Sequence, residues 1–94
     1  MIIDTITECL KEKLNDFIIL YKEEFKTDNH SFKIEGDENI KFLIFSDTYI
    51  DDHKEEEIIN YLNKIDIFSL LKNPTVGSIF ITNQGYEINK KNEN

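Results

Sequence analysis

The stretch VGSIFITNQGYEINKK, residues 76–91, decides how this chain closes its fold. Ile79 and Ile81 alternate with their neighbours, Thr82 and Gly85 interrupt the run, Tyr86 and Ile88 resume it, and Lys90 and Lys91 follow. Alternation with a period of two is the signature of a half-buried strand. The interruption is turn chemistry, in which glycine accepts a positive φ and threonine caps. The stretch therefore reads as a strand over residues 76–82 with a last piece at 86–88, a terminal hairpin on a small sheet.

Upstream, EEEIINYLNKIDIFSLL (residues 55–71) reads as helix. A helix starting near His53 has Asp52 and Glu55 at capping spacing and glutamates in its first turns, where the helix dipole favours them. Ile58, Ile59, Leu62 and Ile65 form its inward face; Asp66 is the point where it breaks or restarts, and Pro74 ends the region. At the N-terminus, Ile6, Leu10, Leu14, Phe17, Tyr21 and Phe25 recur at spacings of three and four, and Thr5 with Glu8 has the capping-box spacing, predicting one long helix over about 5–26. Between the helices, residues 31–35 alternate about Phe32 and Ile34, residues 36–39 (GDEN) form a turn, and residues 40–45 are apolar on both faces, as in a central strand.

The expected order is α-β-β-α-β with one further short strand or helix. It closes most simply as an α+β domain, an antiparallel sheet with helices packed on one face, with a winged-helix-like variant of the same elements. The expected core joins Leu10, Leu14, Phe17 and Tyr21 to Phe42, Ile44, Leu62 and Ile79. At 94 residues the chain reads as a single domain, 1–94, with residues 89–94 as a flexible polar tail.

Composition narrows the function classes. The chain has no Ala, Trp or Arg, so all 11 basic residues are lysine, a bias expected of AT-rich coding sequence in a low-GC bacterium or its phage. A single cysteine, Cys9, forms no intrachain disulfide, and with no apolar run long enough for a signal or a membrane span the expected compartment is the cytoplasm. The net charge of −8 is concentrated: residues 35–57 hold nine acids and two lysines, whereas residues 58–94 hold three acids and four lysines. Such a field repels nucleic-acid phosphate and attracts basic protein surfaces.

The densest polar run, SDTYIDDHKEEE (46–57), supplies oxygen ligands and places His53 and Glu57 at i,i+4, but it lacks EF-hand spacing and the paired histidines of a helical zinc site. No metal and no cofactor is expected. Cys9 lies beside an apolar stripe, as a small core residue does; His30 and His53 sit in no nucleophile or acid–base motif, and the three glycines form no phosphate loop. The chain reads as a non-enzyme.

Residues 76–91 also resemble the end of bacterial winged-helix domains, where the wing strand delivers the chain into a short terminal segment. The resemblance implies a recognition helix within residues 55–71 and a DNA-binding regulator. Against it, residues 31–45 read as a hairpin where a winged helix has helical core, and there is no arginine for guanine contacts. The leading expectation is a small acidic protein that works by binding a protein with a basic surface, either as an accessory or regulatory module or as a phage-type inhibitor of a basic nucleic-acid-binding protein. Asp47, Asp51, Asp52, Glu55 and Glu56 are the expected partner-binding residues, and neither direct nucleic-acid contact nor a membrane is expected.

Overall fold

The computed structural model describes residues 2–24 and 26–91. Helix α1 (Ile2–Lys13) is followed by strands β1 (Ile18–Glu24), β2 (Asn29–Glu35) and β3 (Ile40–Ser46), helices α2 (Asp47–Asp52), α3 (Glu55–Lys64) and α4 (Ile67–Lys72), and strands β4 (Val76–Thr82) and β5 (Gly85–Lys90). The strands form one sheet in the order β1-β2-β3-β4-β5. All neighbours are antiparallel except β3 and β4, which run parallel. A parallel pair needs a crossover, and α2, α3 and α4 supply it. The class is α+β, with a mixed sheet in place of the expected antiparallel one.

One face of the sheet is covered. Ile19 on β1, Phe32 and Ile34 on β2, Leu43 and Phe45 on β3, and Ile79 and Ile81 on β4 are buried in one cluster with Ile6 and Leu10 of α1, Ile58 and Leu62 of α3, and Ile67 and Leu71 of α4. The four-residue spacing of Ile6 and Leu10, continued by Leu14 just past the helix end, is what turns α1 onto this face.

The N-terminal helix is shorter than its periodicity suggests. It ends at Lys13, and residues 18–24 pair with β2 in the register Ile19↔Ile34 and Tyr21↔Phe32. A run such as Phe17-Ile18-Ile19-Leu20-Tyr21 satisfies helix and strand periods equally, and the β-branched isoleucines with a sheet edge to pair against favour the strand. Phe17 packs on Gly36, where an added Cβ would fall 2.8 Å from the ring. Phe25, the last residue of the expected stripe, lies outside the described residues.

The expected core is half corrected. Leu10, Leu14, Leu62 and Ile79 are fully buried and Phe17 packs on the cluster, but Tyr21 and Phe42 are exposed and Ile44 lies on the uncovered face. In β3 the inward residues are Lys41, Leu43 and Phe45, one position out of phase with the expectation. Lys41 is only 1% exposed; its ammonium donates to the Asn73 carbonyl, and burial, followed by the nearby Lys91, lowers its pKa.

The crossover is three helices where one or two were expected. Ser46 caps α2, its hydroxyl accepting the Tyr49 N–H at 3.2 Å, and α3 starts after Lys54, whose N–H donates to the Glu57 carboxylate at 2.9 Å. Asp66 adopts a left-handed conformation (φ 51, ψ 54) that breaks α3 from α4. The last hairpin forms as expected: β4 spans Val76–Thr82, Gly85 has φ +124, and the Thr82 hydroxyl accepts the Gln84 N–H at 3.1 Å. Of the expected polar tail, Asn89 and Lys90 belong to the ladder of β5 and Lys91 donates to Asn39; residues 92–94 lie outside the described residues. Among the described residues no helix is long and apolar enough to cross a membrane.

Candidate functional site

The five acidic residues singled out in the sequence do not act as one group. Asp51 and Asp52 end α2, Glu55 and Glu56 open α3, and all four are exposed on the corner between the two helices. Lys54 sits among them, and Glu57 is turned back to cap α3. Acidic residues in the first turn of α3 are favoured by the helix dipole, so the fold presents this charge at little cost. Asp52 is held in place, its carboxylate accepting the Asn83 side-chain amide of the β4–β5 turn at 2.9 Å.

Asp47 faces elsewhere. As the first residue of α2 its carboxylate meets His30 Nε2 at 2.8 Å, and His30 Nδ1 meets the Tyr21 hydroxyl at 2.6 Å. With the imidazole proton on Nε2, the ring donates to Asp47 and accepts from Tyr21, so all three polar groups are satisfied. The Asp47 N–H also donates to the Asp28 carbonyl at 3.1 Å, and Asp28 adopts φ 53. The chain of bonds ties β1, β2 and α2 together. Burial, Glu23 and Asp47 all raise the Tyr21 pKa, so the phenol stays a proton donor and is not primed as a nucleophile.

An aromatic ladder runs from this relay through the core. Tyr21 packs on Phe32 (ring centroids 5.2 Å), Phe32 on Phe45 (5.8 Å), Phe45 on Tyr49 (6.0 Å), and Tyr49 on His53 (4.2 Å) and Tyr61 (6.1 Å). At its far end Tyr49, His53, Glu57 and Tyr61 meet the Thr82–Gly85 turn around an open depression of about 410 Å³. His53 Nδ1 bonds the Tyr49 carbonyl at 2.8 Å, so His53 closes α2 and does not share a helical face with Glu57. The Tyr49 pKa is pushed up to about 12, first by burial and then by Tyr61 and Glu57. Burial likewise raises the Cys9 thiol, which suits a packing residue better than a thiolate.

Sequence reasoning found the acidic corner because four carboxylates fall within six residues. It missed the Tyr21–His30–Asp47 relay, whose members are nine and seventeen positions apart and meet only through the pairing of β1 with β2 and the start of α2. The Tyr49–His53 stack had a visible signal, an aromatic and an imidazole at i,i+4. Among the described residues no three His, Cys, Asp or Glu side chains converge as a metal site. Compared with known proteins, the chain matches no family model, no curated sequence and no solved structure.

Proposed function

We propose that this is a cytoplasmic, non-enzymatic protein-binding domain whose α2–α3 corner docks a basic protein surface, as an accessory module or as an inhibitor of a nucleic-acid-binding protein. The observation that carries this reading is the corner itself: Asp51 and Asp52 at the end of α2 and Glu55 and Glu56 at the start of α3 are all exposed, within six residues of chain. Clustered carboxylates on a fixed scaffold present charge to a lysine- or arginine-lined groove much as phosphates do, and they act mainly on association rate and specificity. The absence of arginine and the chain's net charge of −8 point the same way.

A winged-helix-type DNA-binding regulator is the competing reading, with the β4–β5 hairpin as wing and α3 as recognition helix. It is the weaker one because α3 opens with three exposed glutamates, and Lys91 is engaged with Asn39.

The test compares the wild-type chain with the fourfold variant Asp51→Asn, Asp52→Asn, Glu55→Gln, Glu56→Gln. Proteins captured from the native host by the wild type are purified and titrated against both forms at low and physiological salt. The expected outcome is slower association and a flatter salt dependence for the variant, with no shift of duplex DNA by either form. Duplex binding that is lost in Lys72→Glu or Lys90→Glu, and kept in the fourfold variant, would replace this reading with the DNA-binding one.

A further inference from the structure

The second face of the sheet carries no helix. Strand registers place its outward residues in cross-strand rows: Leu20, Lys33, Phe42, Ser78 and Asn89 in one, and Lys22, Ser31, Ile44, Phe80 and Glu87 in the next. Ile18 is 60% exposed, Leu20 51% and Phe42 38%. Scattered apolar residues are ordinary on a surface, but here Phe42 and Ile44 on β3 adjoin Phe80 on β4, with Ile18 and Leu20 on β1 at the same face, a grouping of the kind that interaction faces show. Five strands about 4.8 Å apart and about six residues long give a projected area of roughly 500 Å². Side-chain relief raises the accessible area above that projection, toward the ~600–800 Å² per partner of small specific interfaces.

Charge selects the occupant. On a chain of net charge −8, the outward side chains described on this face include Lys22 and Lys33 against Glu35 and Glu87, an even balance. Lys33 and Glu35 already pair with each other at 3.0 Å. Lys22 and Glu87 stand at opposite ends of one row, on β1 and β5. A two-fold axis lying between two such sheets, parallel to the strands and over β3, lays β1 of each copy on β5 of the other. It therefore sets Lys22 against Glu87 of the second copy, twice, with Phe42 and Ile44 meeting their own counterparts at the centre. Aligned sheets pack about 10 Å apart, within reach of these side chains, and the acidic corners lie outside on the helical layers, separated by more than the ~8 Å over which salt screens charge.

We propose that two copies of the chain pack these open sheet faces together about that axis. The arrangement is isologous and closed, and it leaves both α2–α3 corners free. Sedimentation equilibrium of the full chain across a concentration series is the experiment. A species of twice the 11.2 kDa chain mass is expected. Ile44→Asp, and independently Phe80→Lys, should each return it to a monomer with an unchanged circular-dichroism spectrum. Lys22→Glu should weaken association by about tenfold, and adding Glu87→Lys should restore it, as reversal of a complementary charge pair does. A chain that stays monomeric to about 100 μM, a dimer that survives Ile44→Asp and Phe80→Lys, or a charge swap without rescue overturns the proposal.

Discussion

On the helix-covered face of the sheet Phe45 is fully buried, its ring held between Phe32 and Tyr49; on the other face of the same strand Phe42 leaves 38% of its surface in water. The two residues are three apart in a strand that is apolar on both sides. Apolar character therefore does not decide which face becomes core. The helices do, because α1, α3 and α4 carry their own apolar stripes and can cover only one side.

The sharpest way to break this comparison is to truncate both rings. Phe45→Ala should cost about 3–5 kcal/mol, as expected for an aromatic ring lost from a packed core. Phe42→Ala, measured at a dilution where the chain is monomeric, should cost less than about 1 kcal/mol. Denaturant midpoints of the two variants settle it, and equal losses would mean that the open face is as well packed as the covered one.

A smaller effect tests the covered face's polar rim. Asp47→Ala removes the acceptor for His30 and a first-turn carboxylate from α2, and should cost about 1–2 kcal/mol, read as a lowered melting temperature at neutral pH. No change would show that His30 is equally well served by solvent.

The smallest effect at neutral pH is the alkaline one, which is zero there. The Tyr49 pKa is raised in the folded chain from 10.0 to about 12, so its contribution to stability is complete below pH 10 and is lost as pH rises through 12. Phenolate absorbance should show Tyr49 ionising well above pH 10 in the native protein, and Tyr49→Phe should remove that late phase. A native Tyr49 that ionises near pH 10 would contradict its burial against Phe45 and His53.

These contrasts explain what the sequence could reveal. Where one face is apolar and the other polar, the reading succeeded: Phe32 and Ile34 point inward on β2, Leu10, Ile58 and Leu62 are buried on the helices, and Leu14 is buried just past the end of α1. It failed where both faces are apolar. In residues 17–21 the four-residue spacing of Phe17 and Tyr21 fits a helix, and the outward Ile18 and Leu20 leave no polar alternation to mark the strand. In β3 the inward Lys41 and the outward Phe42 and Ile44 inverted the apparent phase. Outward apolar residues of the open face, Ile18 and Leu20 on β1 and Phe42 and Ile44 on β3, contribute to both misreadings. The acidic corner was legible as local charge density, whereas the relay of Tyr21, His30 and Asp47 exists only through strand register.

The parallel seam between β3 and β4 concentrates the chain-entropy cost of the fold in one place. Other neighbouring strands are joined by short turns, while this pair closes a loop over residues 47–75. Closure entropy grows with the logarithm of loop length, about 0.6 kcal/mol per doubling, and it is offset by the β3–β4 ladder and by packing of the loop's own helices. Ile58, Leu62, Ile67 and Leu71, buried on α3 and α4, supply the helices' share of that packing. The crossover helices are thus what make the sheet a single object. Without their packing the chain keeps two local pieces, a three-stranded meander and a hairpin, with little to bring them together.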